Sequence, residues 1–149
     1  MEQEQMMKEA LLLAKEAADA GEVPVGCVIV RSGEIVGRGR NRREEKQSTA
    51  SHAEMEAIAE ANARLGTWRL DDCELYVTLE PCPMCAGAIL MSEPDRVIFG
   101  AYDKQAGCTG SVYCLPEDPA FMHPVACSGG LLKEECEAPL RAFFDEKRG

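Results

Sequence analysis

His52 and Glu54 stand two residues apart in "SHAEME", and Cys82 and Cys85 stand three apart in "EPCPMC". Imidazole nitrogen and thiolate sulfur are ligands that zinc takes readily, and cysteines at i and i+3 in a helix's first turn point the same way. Pro83, between them, suits the first helical position, and a helix N-terminus lowers thiol pKa toward the thiolate that metal needs. His52, at the start of a second helix-forming stretch, is the natural third ligand. Three nitrogen and sulfur ligands leave one coordination position for water, the arrangement of a catalytic zinc. Metal lowers the pKa of water toward neutrality, and attack on a carbon bearing an amino group then needs a proton shuttle nearby, a task for which Glu54 is placed.

Two blander readings use the same residues. Cys82 and Cys85 alone would serve as a redox pair, but the His-x-Glu element has no place there and no thioredoxin-like context surrounds them. A closed structural zinc would recruit one of the other six cysteines, at 27, 73, 108, 114, 127 and 136, and would leave Glu54 without a task. Those six, and His123 in "FMHPV", read as ordinary structural residues.

The elements that must position these groups follow from periodicity. Apolar residues at Met6, Met7, Ala10, Leu11, Ala14, Ala17 and Ala18 have helical spacing, and Gly21 ends that helix. "VPVGCVIV" (23–30) and "EIVGRGR" (34–40) read as paired strands around a Ser32-Gly33 turn, with Pro24 at the start of the first. Residues 52–66 form a helix with Ser51 or Thr49 as cap and Gly66 as stop. "ELYVTL" (74–79) is a strand running into the cysteine motif, which opens the next helix. "DRVIFGA" (95–101) is a further strand, "PVACSG" a weaker one, and 131–147 a final helix that Pro139 should break or kink. Helices alternating with short apolar strands predict an α/β fold whose central mixed sheet is covered on both faces.

Length and composition bound the rest. The chain has 149 residues, 46% of them hydrophobic, which suits one compact domain over 1–149. No apolar run approaches the ~20 residues of a membrane span, and the first residues carry neither a basic region nor a cleavage-like site, so a cytoplasmic location with no membrane partner is expected. With 26 acidic against 16 basic residues the net charge is −10, which opposes a polyanionic partner unless positive charge is gathered locally. It is gathered: Arg31, Arg38, Arg40, Arg42, Arg43 and Lys46 face only Glu34, Glu44 and Glu45 in that stretch, and they flank Asn41. A phosphate backbone could pass there, although a solvated strand and loop surface is the alternative.

"HAE" followed by "PCPMC" matches H-x-E…P-C-x-x-C, the established signature of zinc nucleobase deaminases, which replace an exocyclic amine by oxygen and release ammonia. Beyond that signature, "AGEVPVGCVIV", "GRGRNR", "LYVTLEPCPMCAGAI", "RVIFGAYDKQAGCTGS" and the terminal "FFDEKR" resemble the bacterial tRNA-specific adenosine deaminases over nearly the whole length. The resemblance implies a three-layer α/β/α cytidine-deaminase-like fold with a five-stranded mixed sheet. It implies conversion of the wobble adenosine of a tRNA anticodon to inosine, one zinc per subunit, a homodimer, and an arginine tRNA as partner. Carried over by residue, His52, Cys82 and Cys85 would hold zinc and Glu54 would shuttle protons. Asn41 would hydrogen-bond the purine, Asp103 would meet a ribose hydroxyl, and Phe143, Phe144 and Arg148 would belong to the terminal tRNA-contacting element.

Read from their own surroundings, Asn41 could simply be a turn residue and Asp103 a loop acid, and at least one of the adjacent Phe143 and Phe144 should be core. A deaminase of free bases, nucleosides or nucleotides, acting on cytidine, deoxycytidylate or guanine, shares the zinc chemistry but has no need of the basic run. A non-catalytic zinc-stabilised RNA-binding domain would have no need of Glu54.

Overall fold

A computed structural model of the chain describes residues 2–148, the side chain of Arg148 excepted. Helix α1 (Glu2–Asp19) leads into the hairpin β1 (Gly26–Arg31) and β2 (Glu34–Arg40), followed by a single helical turn, α2 (Arg43–Lys46), and helix α3 (Ala53–Leu65). Strand β3 (Cys73–Leu79) runs into α4 (Pro83–Ser92), then β4 (Arg96–Ala101), a 3₁₀ turn (Leu115–Glu117), β5 (Ala126–Ser128) and α5 (Lys133–Arg148). The five strands form one mixed sheet in the order β2-β1-β3-β4-β5. β1 pairs antiparallel with β2 and β3, whereas β3, β4 and β5 run parallel. The expected α/β/α fold with a five-stranded mixed sheet is the fold observed.

Side chains of a strand alternate between faces, so the central strands feed two cores. Cys27 and Ile29, Leu75 and Val77, and Val97 and Phe99 join Ala53, Ala57 and Ala61 of α3 and Ile89 of α4. Val28 and Val30, Tyr76 and Ile98 face the other way, onto Met7 and Ala10 of α1 and Cys136 of α5. Apolar runs in β1, β3 and β4 are thus explained by burial on both faces.

The seating of α3 matters most for function. A methyl group at Gly39 in β2 would lie 2.1 Å from the Ala53 carbonyl oxygen and 2.6 Å from the Ala57 nitrogen, both rigid helix backbone. Only glycine lets the first turn of α3, where His52 and Glu54 sit, lie this close to the sheet. Gly39→Ala is therefore expected to cost about 1–3 kcal/mol or more through overpacking and to lower the zinc retained per chain, as read by urea unfolding and metal content.

Three expectations change. Pro139 does not end the last helix, which continues unbroken from Lys133 to Arg148. Its cost is offset where Cys136 packs fully buried against Gly100 and Leu140 packs on the core. The cap of α3 is neither Ser51 nor Thr49 but His52, whose side chain makes no capping bond, while Gly66 is the stop as expected. The first strand begins at Gly26, after Pro24, which has no N–H to give a ladder.

Candidate active site

The N-termini of α3 and α4 meet beyond the carboxyl end of β3. His52 is the N-cap of α3 and Cys82 the N-cap of α4, with Pro83 next and Cys85 one residue short of completing the first turn. Ordinary N-caps carry Ser, Thr, Asp or Asn to bond the free amides of the first turn; here neither cap side chain bonds its own helix. The two side chains turn outward toward each other instead. The His52 Nδ1 atom lies 3.6 Å from the Cys82 sulfur and 3.6 Å from the Cys85 sulfur, and all three ligand atoms lie within 4.8 Å of one another. Two tetrahedral ligands at ordinary Zn–S and Zn–N lengths stand about 3.5 Å apart. The observed spacings fit one zinc ion held through Nδ1 and two sulfurs.

Helix N-termini carry partial positive charge, and two of them here favour anionic sulfur. Hydrogen bonds from the Cys85 thiol and from His52 draw the Cys82 thiol down to about 4, so Cys82 is a thiolate before any metal arrives. The same thiolate, together with burial, drives Cys85 far upward, and hydrogen bonding to Cys82 raises His52. Zinc must displace the Cys85 proton, and below the His52 pKa an imidazole proton as well. Because both groups are raised, acid opposes uptake: apparent zinc affinity should fall roughly tenfold per pH unit where one proton is released, and more steeply where two are. Zinc titration from pH 8 to pH 5 against a competing chelator measures this slope.

Glu54, in the first turn of α3, is 4% exposed, and burial pushes its carboxyl up to about 7. It lines a cavity of ≈ 200 Å³ together with His52 and Cys82. Asn41 and Asp103 stand in the same lining, with Val23, Val25 and Ala106 as apolar walls and Arg43 at the exposed mouth. Asn41 is 8% exposed, and its Oδ1 accepts from the Arg43 amide at 3.1 Å. It is at once a turn residue and a cavity residue. Asp103 Oδ1 accepts from the amides of Gln105 and Ala106, at 3.0 and 3.2 Å, which holds its own loop. An apolar slot with a carboxylate and a ligand set at its floor and two polar side chains in its wall can hold a planar heterocycle and protonate it.

Two buried acids escaped sequence analysis. Glu80, 2% exposed at the end of β3, accepts from the amides of Asp103 (3.0 Å), Thr109 (3.2 Å) and Ser111 (2.8 Å) and from the Ser111 hydroxyl. One carboxylate thus gathers the loop carrying Asp103 and Ala106. Glu22, equally buried, accepts from the amides of Glu44 (3.1 Å) and Glu45 (2.7 Å), capping α2 from outside it and fixing Arg43 at the cavity mouth. The available signal was an acid next to apolar residues, in "AGEVPVG" and "YVTLEPC": such an acid folds inward only if donors meet it.

The basic run is less free than its composition suggests. Arg40 and Arg42 each reach Glu45 at 2.9 Å, Lys46 reaches Glu56 of α3 at 2.9 Å, and Arg43 lies 3.8 Å from Glu44. The Arg40 side chain is 11% exposed, whereas pairs as open as those of Arg42, Arg43 and Lys46 are worth at most ~1 kcal/mol, so a phosphate can exchange for a carboxylate there at small cost. Phe144, 44% exposed, is not in the cavity; with Phe143 it lines an adjoining groove that shares Val23 and Arg43 with the cavity. Neither phenylalanine belongs to the core. Phe143 is half-buried, packs edge-on to Phe144 at 5.4 Å, and lies under the Lys147 ammonium. The side chain of Arg148 lies outside the described residues.

A five-stranded mixed sheet that brings a His-Cys-Cys group and a buried carboxylate to the floor of one cavity defines a zinc-dependent deaminase. Residues 1–101 accordingly match the family model described as "Cytidine and deoxycytidylate deaminase zinc-binding region". The chain is 51% identical over 142 residues to the tRNA-specific adenosine deaminase of Bacillus subtilis, covering 95% of this chain and 88% of that protein. Its fold is similar to that of a solved tRNA:A34 deaminase, with a TM-score of 0.87, 37% identity, and coverage of 91% of this chain and 99% of the other. The guanine deaminase of Bacillus subtilis is also similar, at TM-score 0.64 and 42% identity, over 66% of this chain and 64% of that one. The chain belongs to the tRNA-specific adenosine deaminase family of zinc-dependent deaminases. It is an enzyme, and zinc is its cofactor.

Proposed function

We propose that this chain hydrolyses the amine of the wobble adenosine in a tRNA anticodon loop, yielding inosine and ammonia. The carrying observation is the placement of Glu54 beside the His52, Cys82 and Cys85 group at the floor of a cavity with Asn41 and Asp103 in its wall. Zinc, when held by His52 Nδ1 and the two sulfurs, supplies Lewis acidity that makes water a competent nucleophile near neutral pH. Glu54 would take one proton from the attacking water and deliver it to ring nitrogen N1 as oxygen adds at C6, then take the remaining proton of the added hydroxyl and pass it to the amine, which leaves as ammonia. Asn41 hydrogen-bonds the purine, Asp103 receives a ribose hydroxyl, and Val23, Val25 and Ala106 exclude water around the base. An anticodon loop offers bases already unstacked, so one enters the slot without the cost of opening a duplex. Arg43 at the mouth, the basic run beside it and Phe144 in the adjoining groove meet the flanking backbone and bases.

The enzyme acts as a homodimer in the cytoplasm, with Arg148 among its tRNA contacts. The exposed apolar group of Trp68, Met91, Phe121 and Met122, the last 87% exposed, supports an apolar subunit contact. Among the described residues no helix is long and apolar enough to cross a membrane.

The test is inosine formation by zinc-replete enzyme on the anticodon stem-loop of an arginine tRNA, with free adenosine, cytidine, deoxycytidylate and guanine alongside. Turnover of the stem-loop alone supports the reading, and Asn41→Ala and Asp103→Ala should then raise KM for it. Turnover of a small substrate with none of the stem-loop overturns the substrate assignment and leaves the zinc chemistry standing. Tight stem-loop binding with no ammonia released overturns the catalytic assignment.

A further inference from the structure

Read from the sequence, Cys114 and Cys127 are two of six cysteines without a task, and the chemistry described above uses neither. They lie thirteen positions apart, yet the fold brings both to Glu117. Cys114 is the N-cap of the 3₁₀ turn, Glu117 ends that turn, and Cys127 is the middle residue of β5, paired with Val97 of β4. Both sulfurs and a Glu117 oxygen lie within 4.8 Å of one another. Glu117 Oε1 accepts from the Cys114 thiol at 3.4 Å, and its Oε2 accepts from the Cys127 amide at 2.8 Å. The backbone of Val125 donates to Pro116 at 2.7 Å, so the two segments that carry the donors are held together independently of them. Both cysteines are free and half-buried, whereas Glu117 faces solvent.

We propose that Cys114, Cys127 and Glu117 form a second zinc site, separate from the catalytic one, that clamps the 3₁₀ turn to the edge strand β5. Two sulfurs and a carboxylate suit zinc, and a carboxylate oriented by a second hydrogen bond is a preformed ligand. Binding releases the two thiol protons and involves no electron transfer. The solvent-facing carboxylate gives the ion an entry path, and it also makes this site the more easily stripped of the two. A disulfide would use the two sulfurs alone and would have no need of the carboxylate turned onto them. The site requires nothing of the substrate or reaction proposed above, because it shares no residue with the cavity.

Zinc per chain, measured by mass spectrometry of full-length protein purified under reducing conditions and equilibrated with excess zinc, tests this directly. Wild type should hold two equivalents, and Cys114→Ser/Cys127→Ser one, with inosine formation retained. Cys82→Ser/Cys85→Ser should also hold one. Should either double variant fail to fold, cobalt titration of the zinc-free wild type replaces it, with two thiolate-bearing equivalents expected and the weaker one lost in Glu117→Gln. One equivalent in wild type, or an unchanged second equivalent in Glu117→Gln, overturns the proposal. So does a thiol count two short of the chain's eight in protein purified and denatured without reductant, since the pair would then be a disulfide.

Discussion

Glu54→Gln should retain zinc and lose deamination almost completely. The amide keeps the size and shape of the carboxyl and removes none of the three ligand atoms, so metal content should stay at the wild-type value. What disappears is the carboxyl beside the His52 group, the one assigned to accept a proton and return it. Positioned acid–base groups contribute roughly 10²- to 10⁴-fold, and one that serves both the attacking water and the leaving amine should sit at or beyond the upper end. Measured on an anticodon stem-loop, kcat should collapse while KM changes little, because Glu54 is assigned to proton transfer and not to holding the purine. Normal turnover by a zinc-replete variant would remove Glu54 from the mechanism.

The same substitution carries a second, opposite expectation for stability. Burial raises the Glu54 carboxyl from 4.5 to about 7 in the metal-free chain. Its folded pKa lies above its unfolded value, so folding favours the protonated form. The penalty of holding the charge is therefore absent below about pH 4.5, grows as pH rises, and is complete above about pH 7, where it amounts to ~3 kcal/mol. In zinc-stripped protein, Glu54→Gln should gain stability over wild type as pH rises from 5 to 8. A constant difference across that range would show that the carboxyl is not held high. A carboxyl kept in an apolar cavity is a cost to the metal-free fold.

Glu80→Ala is the second large effect expected. Glu80 also lines the cavity, but its two oxygens are taken up by three backbone amides and one hydroxyl from residues 103–111. Removing it leaves one buried and two half-buried N–H groups without their acceptor, at up to ~1–3 kcal/mol each and roughly 3 kcal/mol in total once water reaches the two outer amides. A side chain on Gly107 would lie 2.3 Å from the Glu80 carboxyl carbon, so the loop is moulded to this carboxylate with no slack. Glu80→Gln should fall between, since an amide keeps one acceptor and turns its NH₂ toward a donor. Urea unfolding gives the magnitude, and hydrogen exchange should localise the loosening to the amides of 103, 109 and 111. KM should rise with the loosening, because Asp103 and Ala106 ride on that loop. Exchange that speeds up evenly over the whole chain would instead make Glu80 a general core residue.

The catalytic chemistry could be read from residue types and spacing because it is local. His52 and Glu54 are fixed relative to each other by one helix turn, as are Cys82 and Cys85, so each half of the site needs only its own helix to form. Paired strands and amphipathic helices were legible for the same reason: alternation of two and a period of 3.6 record which side of an element meets a core. The breaking power given to Pro139 was wrong because a missing hydrogen bond is a local cost, whereas the packing of Cys136 and Leu140 that offsets it comes from distant strands. The short helix α2 was missed because its N-terminal amides are met by Glu22, some twenty residues earlier, and not by the side chain of its own N-cap, Arg42.

By itself, then, the sequence carried the zinc-deaminase signature and the periodicities of the layered α/β fold, since each half of the signature and each element is written within a few residues. Tertiary structure alone decided that Asn41 and Asp103 share one cavity wall, that Glu80 and Glu22 hold the segments around it, and that Glu45 and Glu56 balance much of the basic run. It alone brought Cys114 and Cys127 to one carboxylate. These are contacts between residues far apart along the chain, made only when the sheet's pairing order and the seating of α3 on Gly39 close the loops between them, and no local spacing encodes where such loops will meet.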